Sequence, residues 1–368
     1  MSIEVQAAIF RAPNEPMAIE TITVDEPLPN EVRIRTVASG VCHSDLHVYE
    51  GIVNAGRPPL VLGHEGAGIV ESVGSDVDYV AVGDHVVTCL SGFCGRCEQC
   101  LGGFPNLCVA NPTARARSAP SRLALGEDKI RAMINIGAFA EMMLVHENSV
   151  VKIDPDIPLD VACLVGCGVL TGVGAAIRTA AVTPGQTVAV FGCGGVGLSV
   201  IQGAVIAGAS RVIAVDRIAS KLELARRLGA TDVVDAGSID DPADAIRELT
   251  GGRGVDHAFE AVGVPDLVTQ ATRSLAIRGT CTIVGVFPDG AVLEIPFSAI
   301  RPECKVQTCR MGSNQYRTDI PRYLDFNRQG RLHLDDMISD RPGLDGVNDA
   351  FAALQVGEGA RTVLTFPV

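Results

Sequence analysis

Residues 187–191, TVAVF, form an apolar run that stops at Gly192 and enters the sequence G-C-G-G-V-G, in which Gly192, Gly194, Gly195, Val196 and Gly197 fall. A helical period then runs over 196–207. A strand that turns on glycines straight into a helix can only be a βα unit. Its turn exposes backbone N–H groups beside a helix N-terminus, which suits a pyrophosphate. Asp216 closes the next apolar run, 211–215, and lies 19 residues beyond Gly197. An acidic residue at about that distance bonds the ribose hydroxyls of a dinucleotide and repels a 2′-phosphate, which favours NAD over NADP. Arg217 beside it works in the opposite direction, because an arginine there can accommodate that phosphate. Further strand-like runs at 232–234, 255–259, 280–284 and 305–309 alternate with helix-length intervals such as 219–228. Six strands with crossover helices predict an α/β fold with a doubly wound parallel sheet.

The first 165 or so residues follow a different rule. Short apolar or alternating runs at 5–10, 17–24, 31–37, 67–73, 85–89 and 139–145 are separated by turn signals. They predict a mainly antiparallel β domain. The polar stretch 109–133, rich in Arg, Ala and Ser, reads as one long loop. From residue 311 the strand–helix rhythm is lost; the tail ends in a strand-like 361–366 and is expected to pack back on the first domain. A chain of 368 residues is long enough for two cores. The expected division is 1–168 completed by 311–368, and 169–310.

A formal charge of −13 argues against nucleic acid and anionic membranes as partners. No apolar run approaches the roughly 20 residues a membrane-spanning helix needs, and the start has no basic segment followed by an apolar one. A cytoplasmic location is the expectation. Twelve cysteines there should be reduced thiols or metal ligands.

Cys94, Cys97, Cys100 and Cys108 fall as C-x2-C-x2-C-x7-C among glycines. Four thiolates at turn-compatible spacing close a tetrahedral shell around Zn²⁺ with no position left for water, which is a structural site. An iron–sulfur cluster would also use thiolates, but this spacing matches neither common ferredoxin pattern.

Cys42 opens C-H-S-D-L-H, His64 sits in G-H-E-G-A-G, and Cys167 lies in L-V-G-C-G-V-L-T-G. Singly, each reads as a small buried thiol or a core imidazole. Together with the four-cysteine cluster and the glycine turn, in this order, they resemble the zinc-dependent medium-chain alcohol dehydrogenases over essentially the whole chain. The segment around Cys167 and the long loop look closest to the class III-like and nicotinoprotein-like branch. The resemblance implies a GroES-like, mainly β catalytic domain beside a Rossmann domain. It also implies two zinc ions per chain and NAD. Cys42, His64 and Cys167 would hold the catalytic zinc, and a zinc-bound alkoxide would pass hydride to C4 of the nicotinamide, interconverting a primary alcohol and an aldehyde.

By the same matching, Ser44 would take the alcohol proton and His47 would pass it to solvent. Asp45 would hold the His64 tautomer, and Glu65 would be an exchangeable carboxylate near the metal. His43 and Arg361 would contact the cofactor pyrophosphate, Lys221 the adenosine ribose, and Thr171 and Val196 the nicotinamide ring. Leu90, Phe139 and Val286 would line the substrate pocket. Two variants remain open on this reading. One is a thiol adduct of formaldehyde as substrate, with Arg115 or Arg117 as a cationic rim; the other is NAD that stays bound through turnover. A homodimer is expected and a tetramer remains open. A non-catalytic, crystallin-like or nucleotide-sensing protein on this fold is a remote alternative.

Overall fold

The computed structural model describes residues 1–110, 112–116 and 118–367. The chain divides into two units. The first holds Met1–Cys167, Gln315–Asp325 and Leu334–Val368, and the second holds Gly168–Asn314 and Phe326–His333.

In the first unit the strands Ile3–Phe10, Ala18–Val24, Leu123–Leu125, Asp128–Ala132 and Leu60–Val61 close a small barrel. Its interior is apolar, with Ile9, Ile22, Leu60, Phe139 and Phe351 fully buried. A second sheet is built on the long strand Glu31–Val41, which pairs with Glu65–Val73, Met142–His146 and the tail strand Arg361–Thr365. The tail strand therefore completes the first unit, with Val363 opposite Gly40.

The second unit is built on six parallel strands, β1 (Thr187–Phe191), β2 (Arg211–Asp216), β3 (Asp232–Asp235), β4 (Val255–Glu260), β5 (Leu275–Ile283) and β6 (Lys305–Thr308). Their order in the sheet is β3-β2-β1-β4-β5-β6. β1 and β2 are apolar along nearly their whole length because helices cover both faces of such a sheet. The strand order reverses between β1 and β4, and ligands of open α/β sheets bind at that switch point.

Two expectations change. Residues 109–133 are not one loop: Leu123–Leu125 and Asp128–Ala132 form a hairpin closed by Gly126 (φ 59°) and Glu127. Gly126 supplies the left-handed first position that a two-residue turn of this kind requires. The tail is divided, because 311–314 and 326–333 belong to the second unit. There Gly312 lies so close that a Cβ on Gly174 would stand 2.4 Å from its carbonyl oxygen, and His333 N–H donates to Gln202 Oε1 at 2.6 Å. The other boundary falls after Cys167, one residue earlier than expected.

The start of the 109–133 segment is tied down by charge. Arg115 donates to both oxygens of Glu31 and to Asp25 Oδ2 (2.9 Å), while Arg122 donates to Glu31 Oε1 (2.8 Å) and to the Thr113 carbonyl (2.7 Å). Arg115 is thus a half-buried anchor whose charge is paired; Arg117 lies outside the described residues. Burial opposes the Glu31 charge, but Arg115 and Arg122 hold its pKa below the 4.5 of a free glutamate. Its contribution to stability is complete above pH 4.5 and is lost as pH falls through the lowered folded value. Glu31→Ala leaves Arg122 buried without its counter-charge and should destabilise the protein by about 3–5 kcal/mol in urea unfolding at pH 7. The deficit should shrink in acid; a variant as stable as the wild type at pH 7 would refute the anchor.

Candidate active site

The end of the strand Glu31–Val41 delivers Cys42, which caps the helix His43–Tyr49. Gly40 is paired with Glu65, so the residue before Glu65, His64, arrives beside Cys42. Cys167 follows the short helix Cys163–Gly166, whose Gly166 packs on the strand His85–Thr88; a Cβ there would stand 2.5 Å from the Thr88 carbonyl oxygen. These folds bring one ligand atom each from Cys42, His64, Glu65 and Cys167 within 4.8 Å of one another, all buried.

Asp45 organises the set. Its Oδ2 accepts from Cys42 N–H (3.1 Å), and its Oδ1 accepts from Gly63 N–H (3.0 Å) and contacts His64 Nδ1 (3.1 Å). With Nδ1 engaged, His64 Nε2 is buried and has no hydrogen-bond partner among the described residues. A buried, unsatisfied imidazole nitrogen beside two sulfurs is what a zinc ion bound by Cys, His and Cys requires. The Cys167 contact holds the Cys42 thiol well below its usual range, with His64 adding to it against burial. The same contact, with burial, lifts Cys167 well above its own. Burial disfavours a charged His64, yet Asp45 and then Cys42 raise its pKa to about 10. A cation entering the set displaces these protons, so its affinity rises with pH.

Ser44 and His47 lie on the same helix and are half-buried. His47 Nδ1 is buried with no hydrogen-bond partner among the described residues. The exposed His43 meets it edge to face, with ring centroids 6.4 Å apart.

The four-cysteine segment closes on itself. Cys97 Sγ lies 3.4 Å from Cys100 and 4.0 Å from Cys108, and Cys94 Sγ lies 4.0 Å from Cys100. Zinc–sulfur bonds of about 2.3 Å in a tetrahedron set the sulfurs about 3.8 Å apart, so the cluster fits the ion. Backbone N–H groups of Cys100 and Val109 bring the Cys97 thiol down to about 6.

In the second unit three of the turn's four glycines have separate tasks. Gly192 has φ 95°, and a Cβ on Gly197 would stand 1.7 Å from the Gly192 carbonyl oxygen. Gly194 has no atom within 4 Å of where its Cβ would be, which leaves open space for a phosphate at the N-terminus of the helix Gly195–Ile206. Asp216 Oδ2 accepts from Cys193 N–H (2.7 Å) and Oδ1 from Ile218 N–H (3.0 Å), so the carboxylate is held at the glycine turn. Arg217 beside it is exposed and Lys221 is half-buried. Thr171 and Val196 lie on helices that meet closely, since a Cβ on Gly172 would stand 2.4 Å from the Val196 carbonyl oxygen.

A family model described as zinc-binding dehydrogenase matches residues 195–327, and one described as alcohol dehydrogenase GroES-like domain matches 28–155. An alcohol dehydrogenase zinc-binding domain protein from Burkholderia ambifaria is 36% identical, with a TM-score of 0.94 and 100% of both chains covered. The chain belongs to the zinc-dependent medium-chain alcohol dehydrogenase family. Benzyl alcohol dehydrogenase from Acinetobacter calcoaceticus is 31% identical, with a TM-score of 0.92, covering 99% of this chain and 100% of that one. A putative zinc-binding dehydrogenase from Sinorhizobium meliloti 1021, solved bound to NADP, is 28% identical, with a TM-score of 0.80 over 99% and 100% of the two chains.

For a member of this family, an oxidoreductase that uses zinc and a nicotinamide cofactor, the remaining expected residues are placed as follows. Phe139 is fully buried in the barrel core, 6.1 Å from the Phe351 ring, with Gly63 packed directly on its ring and backbone. Arg361 is 6% exposed and its guanidinium is paired with Glu65; the tail strand brings it there. Leu90 is half-buried against the core of the second sheet, and Val286 is 48% exposed in the other unit. Sequence reading passed over Thr88, whose hydroxyl accepts from Gly66 N–H (3.0 Å) beside His64, and Gly40, where a Cβ would stand 2.2 Å from Glu65 Oε2. Nothing in their spacing marks them, since both act through strand pairing.

Metal analysis should find two zinc ions per chain. Asp45→Ala, which frees the His64 ring, should lower affinity for one of them about 10–100-fold, read as zinc retained against a chelator. Unchanged retention would refute the orienting role of Asp45.

Proposed function

We propose that the protein is an NAD-dependent dehydrogenase that interconverts a primary alcohol and its aldehyde. The observation that carries this reading is the Asp45-oriented His64 whose Nε2 is left without a partner between Cys42 and Cys167. Two sulfurs and a nitrogen leave one coordination position for an alcohol oxygen. When bound, zinc supplies a Lewis acid that lowers the pKa of the alcohol, and the nicotinamide supplies the hydride acceptor.

The residues do the rest. Cys42, His64 and Cys167 hold the ion, and Asp45 keeps the proton on His64 Nδ1. The Ser44 hydroxyl takes the alcohol proton, and His47, partly open to solvent, carries it out. Gly192, Gly194, Gly195 and Gly197 receive the pyrophosphate, and Asp216 takes the ribose hydroxyls. Its carboxylate, held at the turn by two N–H groups, would repel a 2′-phosphate and so favours NAD. The likeness to benzyl alcohol dehydrogenase supports a primary alcohol as substrate class. A thiol adduct is less well supported, since Arg115 is engaged by Glu31 and Asp25.

A homodimer is the proposed assembly. β6 is the last strand of its sheet and leaves an edge open, and Phe297 (89%) and Val306 (42%) are exposed in the same unit. Light scattering should give twice the 38.4 kDa chain mass; a monomer would refute it.

With excess NAD⁺ and a panel of aliphatic and aromatic primary alcohols, NADH absorbance should rise over many turnovers. Cys167→Ala should abolish it while the fold survives. A rise that stops at one equivalent per chain, restored by added aldehyde, would instead establish retained NAD. No turnover under either condition would refute the reading. Asp216→Ala should weaken NAD and relax discrimination against NADP, and an unaltered preference would remove Asp216 from the ribose site.

A further inference from the structure

Glu260 ends β4, at the switch point of the sheet, and is completely buried. Its carboxylate does not face the cofactor turn but folds back on its own chain. Oε1 accepts from the N–H groups of Val262 (2.8 Å), Gly263 (2.7 Å) and Val264 (3.4 Å), the residues that lead into the helix Pro265–Arg273. Its main-chain carbonyl accepts from Val284 N–H (2.8 Å) and Gly285 N–H (3.0 Å) at the end of β5. The next residue, Ala261, donates its N–H to the Phe191 carbonyl (2.9 Å) at the end of β1. One residue therefore joins the turns that follow β4 and β5, and its neighbour joins them to β1.

The joint is tight. A Cβ on Gly263 would stand 2.2 Å from the Val286 carbonyl oxygen, and one on Gly285 would stand 2.2 Å from Gly263 N and 2.6 Å from Glu260 Oε2. On the other side, a Cβ on Gly192 would stand 2.4 Å from Val262 Cγ2. The segment that Glu260 pins is thus the wall on which the first glycine of the nucleotide turn rests.

We propose that Glu260 is a positioning residue of the nucleotide site, pinning residues 261–264 against Gly192 so that the turn keeps the shape that receives the cofactor. The inference rests on the nicotinamide reading of that turn. Oε2 is buried without a hydrogen-bond partner among the described residues. Burial raises the pKa of the group against the pull of the Gly263, Val262, Val264 and Gly285 N–H groups.

Glu260→Gln keeps a carbonyl oxygen for the three donors. Glu260→Ala leaves those donors unsatisfied, and Val262→Ala, at a half-exposed position, trims only the contact with Gly192. Fluorescence titration of the zinc-loaded protein with NADH and with NADPH reads the effect without turnover. For the dinucleotide that the wild type prefers, the dissociation constant should stay within about twofold in Glu260→Gln and rise about tenfold in Glu260→Ala. In Val262→Ala it should rise about threefold, and that variant decides the matter if Glu260→Ala does not fold. Wild-type affinity in the folded alanine variants, or a loss in Glu260→Gln equal to that in Glu260→Ala, would overturn the inference. A wild type that binds neither dinucleotide would overturn the nicotinamide reading itself, and this inference with it.

Discussion

The hydrogen bonds of one buried carboxylate, Asp45, carry the geometry of the first unit's metal set. It is completely buried, and it joins the Cys42 backbone, the Gly63 backbone and the His64 ring. An imidazole with both nitrogens free could rotate and change tautomer; with Nδ1 engaged, Nε2 has one direction in which to act. The cost of burying the carboxylate is offset by those contacts. The helix His43–Tyr49 is therefore more than a connection after a strand. Its first turn carries Ser44 and the group that orients His64, and its last turn carries His47.

Close backbone approach is the second constraint. Gly40 makes room for the Glu65 carboxylate, Gly166 lets the Cys167 segment press on a strand, and Gly197 lets a helix begin against the Gly192 carbonyl. In each case a single Cβ would fall inside contact distance, so at these positions the absence of a side chain is the function. Charge pairing is the third constraint, and it fastens the segment ahead of the hairpin. Glu31 draws Arg115 and Arg122 together, and the polar stretch that looked free of structure is held before it enters the hairpin that closes the barrel.

Much of this was legible in the sequence because it depends on neighbours along the chain. All six strands of the parallel sheet overlap the strand-like runs, although Lys305–Thr308 is largely exposed and Leu275–Ile283 begins well before its run, and the glycine turn with Asp216 is a local pattern whose period and spacing suffice. The four cysteines are likewise near one another in sequence, so their meeting needs only two tight turns. The tail helices Tyr316–Arg328 and Val347–Gln355 were not legible. The first carries an internal proline, Pro321, and buries only a narrow stripe, which blurs the helical period.

The sequence by itself determined the two fold classes, the glycine turn and the residue types able to bind zinc, because these follow from periodicity and from chemistry within a few residues. Only the tertiary structure decided which of those residues face one another. The register of Gly40 on Glu65 sets His64 beside Cys42, and the register of Val363 on Gly40 brings Arg361 to Glu65. Packing sends Phe139 into the core against Phe351. Strand pairing and packing join residues tens to hundreds of positions apart, and no local pattern records a partner at that distance.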